Sequence, residues 1–204
     1  MEPVRQTETI LLTDGTSGLP VAATLVSDLS VAEMAAVDTE WLPFLQRAVA
    51  DAVARGVSRY DLPEHKHWEW ERKGRAMGSE SAAFGVVAGS EMQAVMIVRT
   101  DKTCRLLEQS GEPMVYVDYL ATAPWNLAGM VAVPRYKKCG RRLIQAAIGF
   151  SIDLGFGGRV GLHSLEQSES FYISQFGMQD LGSDPTYENL HYLELTAGVA
   201  ISQI

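Results

Sequence analysis

The residues best suited to chemistry form a basic cluster between Arg135 and Arg142, in a chain that is otherwise acidic. Five of the 17 Lys and Arg residues fall within these eight positions, although the 204-residue chain has a net charge of −8. The cluster coincides with the start of a helix predicted for Gly140–Leu154, where the peptide dipoles already place partial positive charge. Cations there need a compensating anion, and the N–H groups of a helix start bind phosphate readily. The pattern predicts a phosphate site, with a solvated basic surface as the alternative.

Two segments resemble motifs of the GNAT superfamily of N-acetyltransferases. The loop Arg135-Tyr-Lys-Lys-Cys-Gly140 resembles the family's R/Q-x-x-G-x-G/A phosphate loop, except that Lys138 stands in place of the first glycine. The segment Ser170–Met178 is similar to the family's late F-Y-x-x-x-G-F element. The strand before the loop and these two motifs follow the family's order. The stretches Ala123–Asn126 and Gly161–Leu165 resemble a little-characterised bacterial branch of the superfamily, which leaves the substrate open.

The resemblance implies that acetyl-CoA is the co-substrate. In the family, the loop holds the pyrophosphate of CoA, and the pantetheine chain lies where the preceding strand splays from its neighbour. The implied cofactor-binding residues are Leu120, Ala121, Thr122, Arg135, Lys137, Lys138, Cys139, Gly140, Arg141 and Arg142. Basic neighbours would lower the pKa of the Cys139 thiol, but its place in the loop favours a structural role over that of a nucleophile.

Three residues are candidates for the acyl transfer itself, which needs a base for the amine and an acid for the departing thiolate. The resemblance implies that Tyr172 is the acid, and a phenol is protonated at neutral pH; packing beside Phe171 is the alternative. Asp118, within the apolar run Val115–Leu120, is the leading base, with a salt-bridged or edge-facing aspartate as the alternative. His163 is the second base candidate, with a hydrogen-bonded structural histidine as its alternative.

Aromatic residues outside these motifs are candidates for the acceptor site. The proposed substrate-binding residues are Trp68, Trp125, Asn126 and Tyr187. At least two of Trp41, Trp68 and Trp70 are nevertheless expected in the core. His65 and His67 resemble a metal cluster only superficially, because residues two apart lie on different sides of a helix. No metal is predicted.

Hydrophobic periodicity predicts the elements that position these residues. Strands are predicted at 7–13, 21–26, 82–88, 93–99, 114–123, 159–163 and 190–195, and helices at 30–56, 64–77, 140–154 and 165–176. Pro43 favours dividing the first helix in two. Ser164 and Gln167 fit a capping box that opens the last helix, and Gly177 fits a left-handed residue that closes it.

This order predicts an α+β fold, a sandwich in which helices flank a GNAT-like central sheet. The sheet is expected to be mixed and mostly antiparallel, with six to seven strands and one parallel crossover. We expect one domain over residues 1–204, with a helical acceptor-side region at about 30–80 and a cofactor-binding core at about 82–195.

Composition narrows the class of protein. The acidic net charge argues against a general nucleic-acid-binding surface. Cys104 and Cys139 have neither metal-ligand nor disulfide spacing. Met1–Ile10 lacks the apolar core of a signal peptide, and no apolar run reaches the roughly 18 residues of a membrane span. We therefore expect a cytoplasmic protein without a membrane partner.

The sequence predicts an acetyl-CoA-dependent N-acetyltransferase, in which a primary amine of a small molecule or peptide attacks the thioester directly. Two other functions stay open. One is a non-catalytic acyl-CoA-binding or interaction module that has kept the cofactor groove. The other is a toxin or regulator that acetylates a macromolecule such as aminoacyl-tRNA or a protein. The family resemblance also implies a homodimer.

Overall fold

The computed structural model describes residues 5–58 and 62–204. Residues 1–4, part of the amino-terminal segment predicted to lack a signal peptide, lie outside the described residues. Within the described ranges the strands are β1 (Thr7–Asp14), β2 (Pro20–Ser27), β3 (Ser81–Ala88), β4 (Glu91–Thr103), β5 (Pro113–Thr122), β6 (Tyr136–Lys137), β7 (Val160–Ser164), β8 (Gln179–Asp184) and β9 (Leu190–Leu195). They form one sheet in the order β6-β1-β2-β3-β4-β5-β7-β9-β8.

The α+β class is confirmed, but the predicted number of six to seven strands is wrong, since the described residues form nine. The two additional strands are β6 and β8. A strand of two residues is too short to produce an alternating pattern. Strand β8 carries only one large apolar side chain, Leu181, because it lies at the edge of the sheet and is largely exposed.

The predicted parallel crossover is confirmed. Strand β5 pairs in parallel with β7, and the helix α3 (Cys139–Asp153) lies between them in sequence. The ladder joins Val115–Val117 to Val160–Leu162 and ends there. Antiparallel ladders join β1 to β2 and β6, β2 to β3, and β9 to β7 and β8. The part of β5 from Asp118 to Thr122 therefore lies beyond its ladder with β7.

Helix α1 (Val31–Ala54) opens with a capping box. The N–H of Glu33 donates to Ser30 Oγ at 3.2 Å, and the N–H of Ser30 donates to the Glu33 carboxylate at 2.9 Å. The helix continues through Pro43, so its predicted division is wrong. Its buried residues lie on both sides of the proline, and this continuous apolar face offsets the hydrogen bond that the proline removes. They are Met34, Val37, Trp41, Leu45, Ala48 and Ala52.

The single helix predicted for residues 64–77 is also wrong. A 3-10 turn at Glu64–His67 is followed by the helix α2 (Trp70–Arg75), and the backbone between them is extended. The carboxylate of Asp38, on α1, accepts hydrogen bonds from the N–H groups of Trp70 and Glu71, each at 2.8 Å. A side chain distant in sequence thus caps α2 and fixes where it begins.

Helix α4 (Glu169–Phe176) begins later than predicted, and the proposed capping box is wrong. Ser164 is the last residue of β7, and its hydroxyl donates to the carbonyl of Leu165 at 2.9 Å. A 3-10 turn at Glu166–Ser168 leads into α4 instead. The predicted end is confirmed, since Gly177 is left-handed with a φ of 68°. A short helix, α5 (Ala197–Ala200), follows β9.

The chain divides into two compact units. Unit 1 contains the described residues up to Val95 together with Leu120–Leu143, and unit 2 contains Met96–Tyr119 and Ile144–Ile204. Every predicted cofactor-binding residue lies in unit 1, whereas all three predicted catalytic residues lie in unit 2. The single domain over residues 1–204 stays a prediction. Within the described residues, no helix combines the length and apolar character needed to cross a bilayer.

Candidate functional site

The predicted phosphate site is a loop of residues 135–140, which we call the basic loop. It is anchored to β1 and to Gly15, the residue that follows β1. Its residues Tyr136 and Lys137 form β6 and pair with Asp14 and Thr13 of β1. The N–H of Gly15 donates to the carbonyl of Arg135 at 2.8 Å. A Cβ at Gly15 would lie 1.5 Å from the carbonyl oxygen of Pro134, so this approach requires glycine.

Lys138 has a φ of 75° and so adopts the left-handed conformation that glycine favours. This is the position at which the family's loop has its first glycine. The carbonyl of Lys138 accepts the N–H of Arg142 at 3.0 Å and so begins the hydrogen bonding of α3. The lysine adopts a backbone turn suited to glycine, at a cost of about 1–2 kcal/mol.

The cations of the cluster differ in how the protein holds them. Lys137 and Lys138 are exposed, and among the described residues neither forms an ion pair. Arg135 lies 4.8 Å above the Trp125 ring and pairs with Glu91 at 2.8 Å. The Nε of Arg142 donates to the carbonyl of Leu11 at 2.9 Å. The two lysines are therefore the cations best placed to meet a ligand.

The basic loop fits a diphosphate by the chemistry of its donors. Two exposed lysines immediately precede α3, and the N–H groups in the first turn of a helix have no partner within that helix. Cys139 and Gly140 begin that turn, and both are buried. Arg141 is partly buried in the same turn. Leu120–Thr122, the other predicted cofactor residues, lie at the end of β5, with Ala121 buried.

Cys139 does not have the properties of a nucleophile. Cys139 is 2% exposed, and burial raises the pKa of its thiol to about 12. The lowered pKa expected from its basic neighbours is therefore wrong, because burial disfavours the thiolate and only a backbone hydrogen bond acts in the other direction. The thiol stays protonated at neutral pH, in agreement with a structural role.

Trp125 and Asn126, both proposed to bind substrate, have protein partners for their polar atoms. The Trp125 Nε1 donates to Gln93 Oε1 at 2.8 Å, and the Asn126 Nδ2 donates to the same oxygen at 2.9 Å. Trp125 also packs edge-on against Trp41, which in turn contacts Trp70. Trp41 and Trp70 are 5% and 3% exposed, which confirms that at least two tryptophans are core residues. Trp68 is only partly buried, 4.5 Å below the Lys73 ammonium.

In unit 2, His163 lies at the centre of a group that we call the His163 cluster. Its members are Tyr116, His163, Asp184, Tyr187 and Arg105. The phenol of Tyr116, whose pKa is raised by burial, donates to His163 Nδ1 at 2.7 Å. The Nε2 of His163 then donates to Asp184 Oδ2 at 3.1 Å, and its ring stacks on Tyr187 at 3.8 Å.

The environment of His163 favours its structural alternative. Its side chain is 3% exposed, and burial lowers its pKa despite the opposing effect of Asp184. Asp184 also accepts hydrogen bonds from Arg105 Nη1 at 2.6 Å and from the Thr186 hydroxyl at 2.6 Å. These donors hold the pKa of Asp184 well below its usual range, with Thr186 as the largest cause. The imidazole is thus neutral, and each of its nitrogens already has a protein partner.

The other two catalytic candidates differ in exposure. Asp118 is partly buried on β5, just past the ladder with β7. The pKa of Arg99 is raised mainly by its hydrogen bond with Asp101, and the charge of Asp118 contributes to the shift. The catalytic role of Asp118 and its salt-bridged alternative both stay predictions. Tyr172 is 7% exposed and contacts the Phe171 ring, and burial raises its pKa, so its phenol keeps its proton.

Sequence reasoning missed two buried polar residues. Gln93 is fully buried at the start of β4 and links the loop residues Trp125 and Asn126. Glu194 is fully buried on β9 and accepts hydrogen bonds from Arg105 N, Leu106 N, Gln109 Nε2 and the Tyr192 hydroxyl. The signal was present in both cases, since each is a single polar residue within an apolar run.

The metal-ligating side chains of the described residues do not cluster. Among residues 5–58 and 62–204, no three His, Cys, Asp or Glu side chains lie close enough together to hold a metal ion. His65 lies in the 3-10 turn before α2, where its ring contacts Trp68 at 5.5 Å. Burial lowers its pKa to about 4, and the charges of His67 and Lys66 add to that effect.

Several solved acetyltransferase structures resemble this chain. A GNAT-family acetyltransferase from Listeria monocytogenes 4b F2365 is 12% identical, with a TM-score of 0.50 over 92% of this chain and 98% of that chain. The PaiA N-acetyltransferase from Thermoplasma acidophilum, solved in complex with coenzyme A, is 13% identical, with a TM-score of 0.51 over 84% of this chain and 98% of that one. An N-acetyltransferase from Staphylococcus aureus Mu50 is 9% identical, with a TM-score of 0.51 over 96% and 99% of the two chains.

At the level of sequence, no protein-family model and no curated protein matches the chain. Identities this low show the fold and nothing finer. The chain therefore has the fold of the GNAT acetyltransferases.

Proposed function

We propose that this protein is an acetyl-CoA-dependent N-acetyltransferase that transfers an acetyl group to a primary amine. The observation that carries the proposal is the basic loop, which turns through the left-handed Lys138 into α3 and presents two exposed lysines. It occurs on a fold shared with N-acetyltransferases, one of them solved with coenzyme A. The amine would belong to a small molecule or a peptide.

The residues of unit 1 would hold the diphosphate of the co-substrate. Lys137 and Lys138 would neutralise its charge, while the N–H groups at the start of α3 donate to its oxygens. Leu120–Thr122 would offer backbone groups to the pantetheine arm, since this part of β5 lies beyond the ladder with β7. When bound, the thioester supplies the acetyl group that the amine attacks.

Two of the predicted catalytic residues would move the protons of the reaction. Asp118, directly or through water, would accept the proton that the attacking amine loses. Tyr172 would give its phenolic proton to the departing thiolate, since its raised pKa keeps it protonated. His163 has less support as the base, because Tyr116 already donates to its Nδ1. The cytoplasmic location and the homodimer stay predictions.

One observation favours a second function, a module that binds acyl-CoA without catalysis. His163 and Tyr172 are both enclosed by protein, with 3% of the His163 side chain and 7% of Tyr172 exposed. The two functions make opposite predictions for the variants Tyr172→Phe and Asp118→Asn. Turnover falls in both variants if the protein is an enzyme with these residues in its site. In a binding module, CoA affinity is unchanged and the wild type has no turnover to lose.

Calorimetric titration of the protein with acetyl-CoA, and separately with dephospho-CoA, tests the proposal. We expect micromolar binding of acetyl-CoA, weakened when the ribose phosphate is removed. The double variant Lys137→Ala/Lys138→Ala should bind acetyl-CoA at least about tenfold more weakly, equivalent to about 1.4 kcal/mol. Lys66→Ala removes an exposed lysine outside the basic loop and is the matched control. A wild-type protein that binds neither ligand would refute the proposed function.

A further inference from the structure

A buried glutamine in unit 1 is joined to the basic loop by a chain of hydrogen bonds. Gln93 is fully buried, and its Nε2 donates to the carbonyls of Ala88 at 3.4 Å and Glu91 at 3.3 Å. These two bonds orient the amide so that Oε1 faces the segment after β5. There Oε1 accepts hydrogen bonds from Trp125 and Asn126. The orientation of Gln93 is therefore fixed by four partners.

Asn126 connects Gln93 to the basic loop by two hydrogen bonds. Its Nδ2 is held by Gln93, which leaves its Oδ1 to accept the N–H of Tyr136 at 2.9 Å. The amide cannot be flipped without placing Nδ2 against the Tyr136 N–H and Oδ1 against Gln93 Oε1. The backbone at Tyr136, two residues before Lys138, is thus fixed by a side chain ten positions earlier.

Trp125 makes a parallel connection to the same loop. Its Nε1 is held by Gln93, and its carbonyl accepts the N–H of Arg135 at 3.1 Å. The face of its indole supports the Arg135 guanidinium at 4.8 Å. Both routes from Gln93 therefore end on adjacent residues of the basic loop, one at Arg135 and one at Tyr136.

We infer that Gln93 and Asn126 are positioning residues, which hold the basic loop in its diphosphate-binding shape before the ligand arrives. The inference rests on the proposed function, since it assigns the loop to a diphosphate. A loop ordered in advance loses less conformational entropy on binding, and this difference appears as affinity. Neither residue needs to touch the ligand, because each acts through the backbone of Arg135 and Tyr136.

The test compares two ligands across three variants. Acetyl-CoA carries the diphosphate, whereas acetyl-pantetheine has the same thioester arm without it. In Asn126→Leu and Gln93→Met, we expect the Kd for acetyl-CoA to rise about tenfold, equivalent to about 1.4 kcal/mol. The Kd for acetyl-pantetheine, followed by ligand-observed NMR, should stay at the wild-type value. Gln109→Met is the matched control, because it removes a buried glutamine side chain in unit 2, where Gln109 donates to Glu194.

A structural role alone would weaken both ligands equally, and that result would overturn the inference. Unchanged acetyl-CoA affinity in both variants would overturn it too, while leaving the proposed function intact. Amide hydrogen exchange of the ligand-free proteins gives a second measurement. Exchange at Tyr136 should accelerate in Asn126→Leu and not in Gln109→Met. Equal protection in all proteins would refute the positioning role, whether or not any ligand binds.

Discussion

The basic loop of unit 1 and His163 of unit 2 are both predicted from the sequence to be functional, yet the protein holds their polar groups in opposite ways. Lys137 and Lys138 are exposed, and among the described residues neither forms an ion pair. His163 is enclosed, and the partners of its two nitrogens are Tyr116 and Asp184. The loop has donors available for a ligand, whereas the cluster has already satisfied its own.

This difference separates two causes of an unusual polar residue in a sequence. A group that binds a ligand violates a local rule at the surface, as cations do at the start of a helix. A group that stabilises the fold violates the rule of apolar interiors, and it is accompanied by hydrogen-bond partners from other elements. Asp184 and Arg105, which complete the His163 cluster, lie far from His163 in sequence.

The largest effect should follow from truncating the buried histidine. His163→Ala removes a side chain that is 3% exposed. It also deprives the Tyr116 phenol and the Asp184 carboxylate of one hydrogen-bond partner each. We expect the free energy of unfolding to fall by about 3 kcal/mol. Urea denaturation measures this loss. His191→Ala is the control, because the His191 side chain on β9 is 39% exposed and paired with Asp180, so its removal should cost much less stability.

A catalytic role for His163 in place of a structural one would give a different result in His163→Ala. Stability would then change little in His163→Ala, while turnover would be lost. Equal losses of stability in His163→Ala and His191→Ala would also contradict the assignment of His163 to a buried cluster.

A smaller effect is expected from the left-handed residue of the basic loop. Lys138→Ala removes the charge but keeps a Cβ at a φ of 75°, whereas Lys138→Gly removes both. We expect Lys138→Gly to be more stable than Lys138→Ala by about 1 kcal/mol in urea denaturation. Both variants should bind acetyl-CoA more weakly than the wild type, and by similar factors, since both lack the ammonium. Wild-type affinity in Lys138→Gly alone would mean that the backbone turn matters more than the charge.

The smallest effect concerns pH. Burial lowers the pKa of His163 in the folded protein, so the unfolded chain takes up the proton first as the pH falls below about 6.5. Proton uptake then favours unfolding, and the free energy of unfolding decreases as the pH is lowered through this window. His163→Ala should show a weaker dependence when urea denaturation is repeated between pH 7 and pH 5. Some dependence should remain, because His65 has a pKa of about 4 and acts in the same direction.

Identical pH profiles in wild type and His163→Ala would contradict the lowered pKa. A steeper profile in the variant would contradict it more strongly, because a histidine stabilised as a cation by Asp184 has the opposite sign.

Local patterns predicted most of the fold. Hydrophobic periodicity placed α3, which buries one face, and an apolar run placed β9, whose residues 192–195 are all buried. Gly177 ends α4 in the left-handed conformation, as predicted. The predicted elements are wrong where residues distant in sequence determine the local structure. Asp38 fixes the start of α2 from another helix, and β6 exists only because β1 lies beside it.

The candidate site likewise has one part that could be predicted from the sequence and one part that could not. The basic loop could be predicted, because its charge pattern and helix start are adjacent in sequence. The route from Gln93 through Asn126 to Tyr136 could not, since it joins three separate segments through side-chain geometry. An apolar run interrupted by glutamine marks Gln93 as unusual but does not name its partners.

Strand β1 is synthesised long before β6, the strand that pairs with its outer edge. Thr13 of β1 pairs with Lys137, about 120 residues further along the chain, and a ribosome adding about 5–20 residues per second needs roughly ten seconds to make that stretch. Until then the outer edge of the hairpin exposes backbone groups that can pair with other chains. Contacts of such long range also form slowly. The two residues of β6 thus cover the end of an aggregation-prone edge late in folding.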